Sequence, residues 1–357
     1  MVYRFTSEPM SPFKRGKQFG AVHRIQIART IHSYVSTFEK LGSSSRLDLD
    51  EIGFQFLERI QRWSPSLADE LHGIAEGSRI SVLQLAAINS RTEILAQIGV
   101  MSKGECSTVV TLRGGGRSPL AMQTWDWYTC MSSNWLEWTI VQEGGGAITT
   151  VTEYGILGKI GINHHGVAVL MNILHHHSDT GSSGIPVHII ARQVLDNATN
   201  VADSLKIISS AEVSASTCMT VVAPSAEAAM VELWPHGPSV IRAADSDSFL
   251  LHTNHFLTTP GRQRDLEPGA APDTLTRFRQ LADLERIHRG KSASLCEADI
   301  LTALADHHAG ASAVCCHASG PEIGLQFATL ATIVVDFANT SLRTYADGPC
   351  TLQWRED

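Results

Sequence analysis

Read from its sequence alone, this chain of 357 residues is an α+β protein whose strand runs and helix runs stack as separate layers. Three observations predict it. The first hundred residues carry apolar side chains at helical spacing. The pattern switches to short strands with tight glycine turns at Cys106. Helix runs and strand runs then alternate as blocks to the end of the chain, without the βαβ alternation of a parallel sheet.

The elements follow in order. Ile27, Ile31, Tyr34, Val35, Phe38 and Leu41 form one apolar stripe, and GSSSR at 42–46 ends it. A second helix is expected over 48–63, and a third through SLADELHGIAEG to Gly77. A fourth begins at Ser81, with Ser81 and Gln84 as a capping box. From Cys106 to about residue 174, STVVTLR, PLAMQTWDW, WLEWTIVQE, AITTVTEYG and GKIGINHHGVAVLMNIL read as a meandering antiparallel sheet. Gly114–Gly116 and Gly144–Gly146 have no Gly-Lys-Ser/Thr after them, so they read as hairpin turns and not as phosphate cradles. Pro186 opens a helix with Val187, Ile190, Ala191, Val194 and Leu195 on one face, and another helix covers 200–209. Strands return in STCMTVVAP, AAMVELWP and SFLLHTNHF. The polar stretch 258–273 reads as a surface loop. Helices near 273–287 and 296–306 follow, and a hairpin closes the chain.

Composition narrows the function. With 43% hydrophobic and 18% charged residues, the chain has material for a large core. A net charge of −8 without a basic tract argues against a nucleic-acid partner. No apolar run reaches the roughly 18 residues of a membrane span, and the N-terminus lacks a signal-peptide pattern. The 7 cysteines are odd in number, irregularly spaced and without a CxxC, so reduced thiols and a cytoplasmic location are expected. The 16 histidines include His164–His165, His175–His177 and His307–His308. No H-E-x-x-H accompanies them, and adjacent histidines on a strand face opposite sides, so no metal is expected. His175, His177 and Asp179 are the one grouping that could share a side.

Cys106, in GECSTVV at the helix-to-strand junction, is the candidate nucleophile. Read alone, it is equally a small buried residue opening a strand. A cysteine freed at a chain terminus would need no separate base, because its own amine, with a pKa near 8, accepts the thiol proton.

Several blocks, in order, resemble one family: LHGIAEGSRISVLQLAAINSRTEIL (71–95), CST (106–108), QTWDW (123–127), TEYGILGKIGINHHGVAV (152–169), GIPVHIIARQVL (184–195) and HTNHFL (252–257). They are similar to the acyl-coenzyme A:6-aminopenicillanic acid acyltransferases, the C45 peptidase family of N-terminal-nucleophile hydrolases. The resemblance implies a four-layer αββα sandwich of two antiparallel sheets. It implies a precursor cut between Glu105 and Cys106 into a helical segment 1–105 and a chain 106–357, which stay together as a heterodimer. It further implies that Cys106 is the nucleophile, that Asn254 donates to the oxyanion, and that Asp126 orients the Cys106 amine. Arg91 and Glu93 would help shape the site.

The expected activity is hydrolysis of a small N-acyl or peptide-like amide through a thioester. The alternatives are an acyl-coenzyme A-dependent N-acyltransferase and an uncleaved relative that only binds a ligand. Thr108, Trp125, Trp127, Tyr128 and His175 are expected around the substrate. No cofactor is expected, with a coenzyme A thioester admitted as co-substrate. Thr124 and Glu105 stand where the family pattern has Asn and Gly, and VCCH at 314–317 lacks the family's arginine, so substrate choice is expected to differ.

Overall fold

A computed structural model describes residues 1–42, 47–100, 106–243, 248–288, 295–319 and 324–352. The helices are α1 (Pro12–Val22), α2 (Arg24–Leu41), α3 (Leu49–Trp63), α4 (Pro65–Ser78), α5 (Val82–Asn89), α6 (Arg91–Gln97), α7 (Val187–Asn197), α8 (Val201–Ser209), α9 (Thr259–Arg262), α10 (Glu267–Ala270), α11 (Asp273–His288) and α12 (Glu297–Leu304). The strands are β1 (Arg4–Ser7), β2 (Ser107–Arg113), β3 (Arg117–Tyr128), β4 (Trp135–Val141), β5 (Ala147–Glu153), β6 (Ile160–Asn163), β7 (Ala168–Ile173), β8 (Thr217–Ala223), β9 (Glu227–Leu233), β10 (Ser239–Arg242), β11 (Phe249–His252), β12 (Phe327–Asp336) and β13 (Ser341–Ala346).

Two sheets face each other. The larger has the order β1-β4-β5-β6-β7-β8-β9-β10, the smaller β11-β2-β3-β12-β13. Contacts between β2 and β7 and between β3 and β8 join the two sheets. α7 and α8 cover the far face of the large sheet, and α11 and α12 that of the small one, which gives four layers. Val109, Met122, Leu251 and Val334 of the small sheet bury against Leu281, Leu284, Ile300, Leu301 and Leu304 of its helices.

The expected αββα layering is present, with corrections. The predicted meander is split: β2 and β3 belong to the small sheet, whereas β4–β7 belong to the large one. Strands buried on both faces carry near-continuous apolar runs, so the sequence does not mark where the chain changes sheets. The large sheet is not wholly antiparallel, because β1, unforeseen in RFTS, pairs parallel with β4. β10 was also not anticipated. The fourth helix breaks at Ser90 into α5 and α6. Ser81 caps α5 by accepting from Leu83 N at 3.2 Å. The stretch 258–273 is no simple surface loop: it holds α9 and α10, and Glu267 within it is buried. The glycine triplets form turns, with Gly115, Gly116, Gly145 and Gly146 at positive φ. Gly42 donates its N–H to Phe38 O and ends α2; residues 43–46 of the expected break lie outside the described residues.

α1 and α4 touch backbone to backbone. A Cβ at Gly16 would lie 2.1 Å from Glu70 O, and one at Gly73 would lie 2.0 Å from Phe13 O, so only glycine permits this crossing. The approach also places Glu70 in a buried ion cluster. Its Oε2 lies 2.5 Å from Arg15 Nη2 and 2.8 Å from Arg192 Nη2 of α7. Burial raises the Glu70 carboxyl, but Arg192 and Arg15 outweigh it and hold it below its ordinary range. Arg192 also donates to Leu157 O at 2.8 Å. The N-terminal helices are thus tied to the helix layer of the large sheet. Glu70→Ala removes the counter-charge that Arg15 and Arg192 share, leaving Arg192 with Asp196 alone, and is expected to cost about 3–5 kcal/mol. Denaturant unfolding of the variant checks this, and a loss under about 1 kcal/mol contradicts the coupling.

Candidate active site

Cys106 stands immediately before β2 and is 4% exposed. Two side chains grip its carbonyl. Asn172 Nδ2 of β7 donates to Cys106 O at 3.0 Å, and Arg277 Nη1 of α11 donates to it at 3.2 Å. The thiol points to Asp126 O, 3.9 Å away. The same Arg277 donates to Ser107 Oγ at 3.2 Å and, through Nη2, to Asn254 Oδ1 at 3.0 Å. One guanidinium therefore spans the candidate nucleophile and the candidate oxyanion donor.

Asn254 follows β11 and is held on three sides. Its amide Nδ2 donates to Ile173 O at 2.9 Å, its Oδ1 accepts from Arg277, and its backbone N donates to Thr274 Oγ1 at 2.9 Å. Asn172 is equally committed: it also donates to His252 O at 3.3 Å and accepts from Thr108 Oγ1 at 2.7 Å. Gln123 of β3 hydrogen-bonds both backbone groups of Met171, accepting from its N at 3.0 Å and donating to its O. These amides weld β2, β3 and β11 to β7 across the sheet interface, so the strand ends that carry Cys106 and Asn254 share one rigid frame.

The cysteine sits among buried charges. Lys159 Nζ lies 3.0 Å from Glu153 Oε2 and 3.2 Å from the centroid of the Trp125 ring. Arg91 lies 3.4 Å from the same carboxylate oxygen and stacks over Trp127 at 4.2 Å. Tyr34 donates its hydroxyl to Glu153 and accepts from Trp127 Nε1 at 3.0 Å. Burial pushes Lys159 down to about 7 despite Glu153. Burial, then the Asp126 charge, push the Cys106 thiol up to about 11, while Lys159 and Arg277 oppose them.

The structure brings Cys106, Asp126 and Asn254 together; Glu105 lies outside the described residues. The five expected substrate contacts are all buried and already engaged by protein. Thr108 donates to Asn172, Trp125 carries Lys159, Trp127 carries Arg91, Tyr128 packs on Phe327 with ring centroids 4.4 Å apart, and His175 Nε2 lies 3.7 Å from Glu267. The grouping of His175, His177 and Asp179 does not form a ligand set: Asp179 instead accepts from His176 N at 2.9 Å and Ser216 Oγ at 2.6 Å. Glu93 accepts from Val187 N at 2.9 Å at the start of α7, where burial lifts it to about 7.

Sequence reasoning missed Arg277, Asn172, Lys159 and Glu153. Glu153 and Lys159 stood in the family-like block 152–169 without being singled out, and the signal for all four was polar residues set into otherwise apolar strand and helix faces. It also missed the prop beneath Asn254. His252 donates from Nδ1 to Thr253 O at 2.7 Å, and its Nε2 faces Glu232 Oε1 at 3.2 Å. Glu232 accepts in turn from Thr258 N at 3.0 Å and from Leu257 N.

The frame is an α+β sandwich with a buried thiol at the head of an inner strand. Residues 112–350 match the family described as acyl-coenzyme A:6-aminopenicillanic acid acyl-transferase, and the chain belongs to this family. The 40 kDa form of that acyltransferase from Emericella nidulans is 30% identical over 277 residues, 77% of this chain and 75% of the relative. Among solved structures, penicillin V acylase from Agrobacterium tumefaciens is 14% identical with a TM-score of 0.45, covering 68% of this chain and 83% of its own. A mutant conjugated bile acid hydrolase from Clostridium perfringens is 10% identical with a TM-score of 0.45, covering 68% and 92%.

Burial disfavours a charged His252, but Cys218 and Glu232 outweigh it and lift the imidazolium to about 10. A folded pKa above the usual value of about 6.5 adds stability that is complete below pH 6.5 and lost as pH rises towards 10. Subtracting the stability profile of His252→Asn from that of the wild type should therefore leave a difference that declines across that window. Parallel profiles contradict the charge assignment.

Proposed function

We propose that this chain is a self-processing cysteine enzyme of amide bonds, with Cys106 as nucleophile. The observation that carries the reading is the Arg277 bridge between Cys106 O and Asn254 Oδ1. In the uncut chain a thiol lifted to about 11 stays protonated at neutral pH and has no terminal amine as its base, which keeps the precursor silent towards external substrates. In self-cleavage, Cys106 Sγ attacks the Glu105 carbonyl carbon, the thiol proton passes to Cys106 N as the bond from that carbon to the nitrogen breaks, and a thioester forms. Water opens the thioester, leaving the Glu105 carboxylate, the restored thiol and a new α-amine. The amine is then the base at hand, with Asp126 as its carboxylate neighbour.

The fragments would be 105 residues and 357 − 105 = 252 residues long. Their union as a heterodimer is supported by the pairs Glu70–Arg192, Arg91–Glu153 and Glu93–Val187 N, each with one partner on either side of the cut.

In turnover, the thiol would attack the carbonyl of a small N-acyl or peptide-like amide, and the leaving amine would take the proton held by the α-amine. Asn254 Nδ2 has a second N–H beyond the one given to Ile173 O, and that donor suits the developing oxyanion. Water is the default acceptor. The family description and the Emericella relative's name favour a second reading, in which an acyl-coenzyme A thioester supplies the acyl group to an amine.

A panel of N-acyl amides and acyl-coenzyme A thioesters, read by product formation and by mass of the acylated Cys106 peptide, tests both. Asn254→Ala is expected to fold and to lose about 10²–10³-fold in kcat. Near-normal turnover removes Asn254 from the oxyanion role, and an acyl adduct on a residue other than Cys106 overturns the reading.

A further inference from the structure

Away from this site, four soft ligands converge near the C-terminal end of the described chain. His307 Nε2 lies 2.9 Å from His317 Nε2, Cys315 Sγ lies 3.7 Å and Cys350 Sγ 3.4 Å from the same His317 nitrogen, and the two sulfurs are 3.6 Å apart. All four atoms fall within 4.8 Å of one another. We propose that His307, Cys315, His317 and Cys350 form a tetrahedral Cys2His2 zinc site. It is an assignment that the sequence-based expectation of no metal did not foresee.

Geometry carries the proposal. Bond lengths of 2.3 Å to sulfur and 2.0–2.1 Å to nitrogen on a tetrahedron put sulfurs about 3.8 Å apart, sulfur and nitrogen about 3.5 Å apart, and nitrogens about 3.3 Å apart. The His307–His317, Cys315–His317, Cys350–His317 and Cys315–Cys350 separations fall within about 0.4 Å of these, and the remaining pairs lie within 4.8 Å. Two thiolates with two imidazoles are the soft donor set that selects zinc among divalent ions. The ion would displace the two thiol protons to solvent and leave a neutral centre. Packing does not explain the convergence, since Cys315 is buried but the other three residues are exposed.

The backbone is also shaped for it. A Cβ at Gly348 would lie 2.4 Å from Cys315 Sγ, so glycine there admits the sulfur. Both ligand-bearing segments hang on β12. Thr329 N donates to Cys316 O at 3.0 Å, Asp347 N donates to Leu330 O at 3.1 Å, and Cys315 N donates to Asp306 O at 3.2 Å. With four protein ligands the site is closed, a structural clasp between the α12–β12 connection and the C-terminal segment. Thr329 pairs with Asp126 across β12 and β3, so the clasp secures the strand beside the candidate active site.

The ligands are spread over 307–350, which hides the site from spacing motifs. The test is metal content by mass spectrometry of full-length protein produced with zinc, together with cobalt(II) titration after chelation. Stoichiometric zinc is expected, with tetrahedral thiolate–cobalt bands on substitution. Cys315→Ser/Cys350→Ser and His317→Ala should lose both signals, and His308→Ala, beside a ligand but outside the set, should keep them. Absence of stoichiometric metal, metal retained in the double serine variant, or a Cys315–Cys350 disulfide in the purified protein overturns the assignment.

Discussion

The candidate site depends on one buried cation. Arg277 rises from α11 into the end of the small sheet and binds Cys106 O, Ser107 Oγ and Asn254 Oδ1 with a single planar group. A guanidinium holds several acceptors in fixed geometry, which a lysine could not do. Asn172 grips the same carbonyl from the opposite sheet. The head of β2 is therefore fixed by contacts from two layers, and the Asn254 amide is fixed by the same cation. Catalytic geometry needs this rigidity, because small displacements of a nucleophile cost large factors in rate.

Around this frame the balance of burial and charge stands against the thiolate in the intact chain. Burial and Asp126 hold the proton on Cys106, with Lys159 and Arg277 opposing them. A new ammonium bonded to the Cys106 Cα would tip the balance towards the thiolate. The same low-dielectric interior makes Glu153 necessary as the counter-charge of Arg91 and Lys159, and makes Glu70 necessary for Arg15 and Arg192. Glu70 joins α1 and α4 to Arg192 of α7, and Glu153 of β5 holds Arg91 of α6, so processing would cut one bond without separating the pieces.

How much was legible in the sequence follows from the range of each signal. Helices such as α2 and α7 and strands such as β2 and β8 were readable, because periodicity is local. The division of strands between sheets was not, since Val109, Ala121 and Val169 are equally apolar whichever sheet they join. β1 was too short to register. Cys106, Asp126 and Asn254 were marked by the resemblance to the family. Arg277 was not, because an arginine on an amphipathic helix reads as solvated until the fold buries it. The expectation of open substrate contacts at Trp127 and Tyr128 met side chains fully engaged by Arg91 and Phe327, a tertiary fact invisible in QTWDWY.

The account stands or falls on what becomes of the peptide bond before Cys106. Intact mass and N-terminal sequencing of the freshly purified wild-type chain read it directly. The account predicts two associated fragments, the larger of 252 residues beginning with Cys106. A single uncut chain that turns over an amide or a thioester, or a second fragment beginning at any other residue, would contradict it.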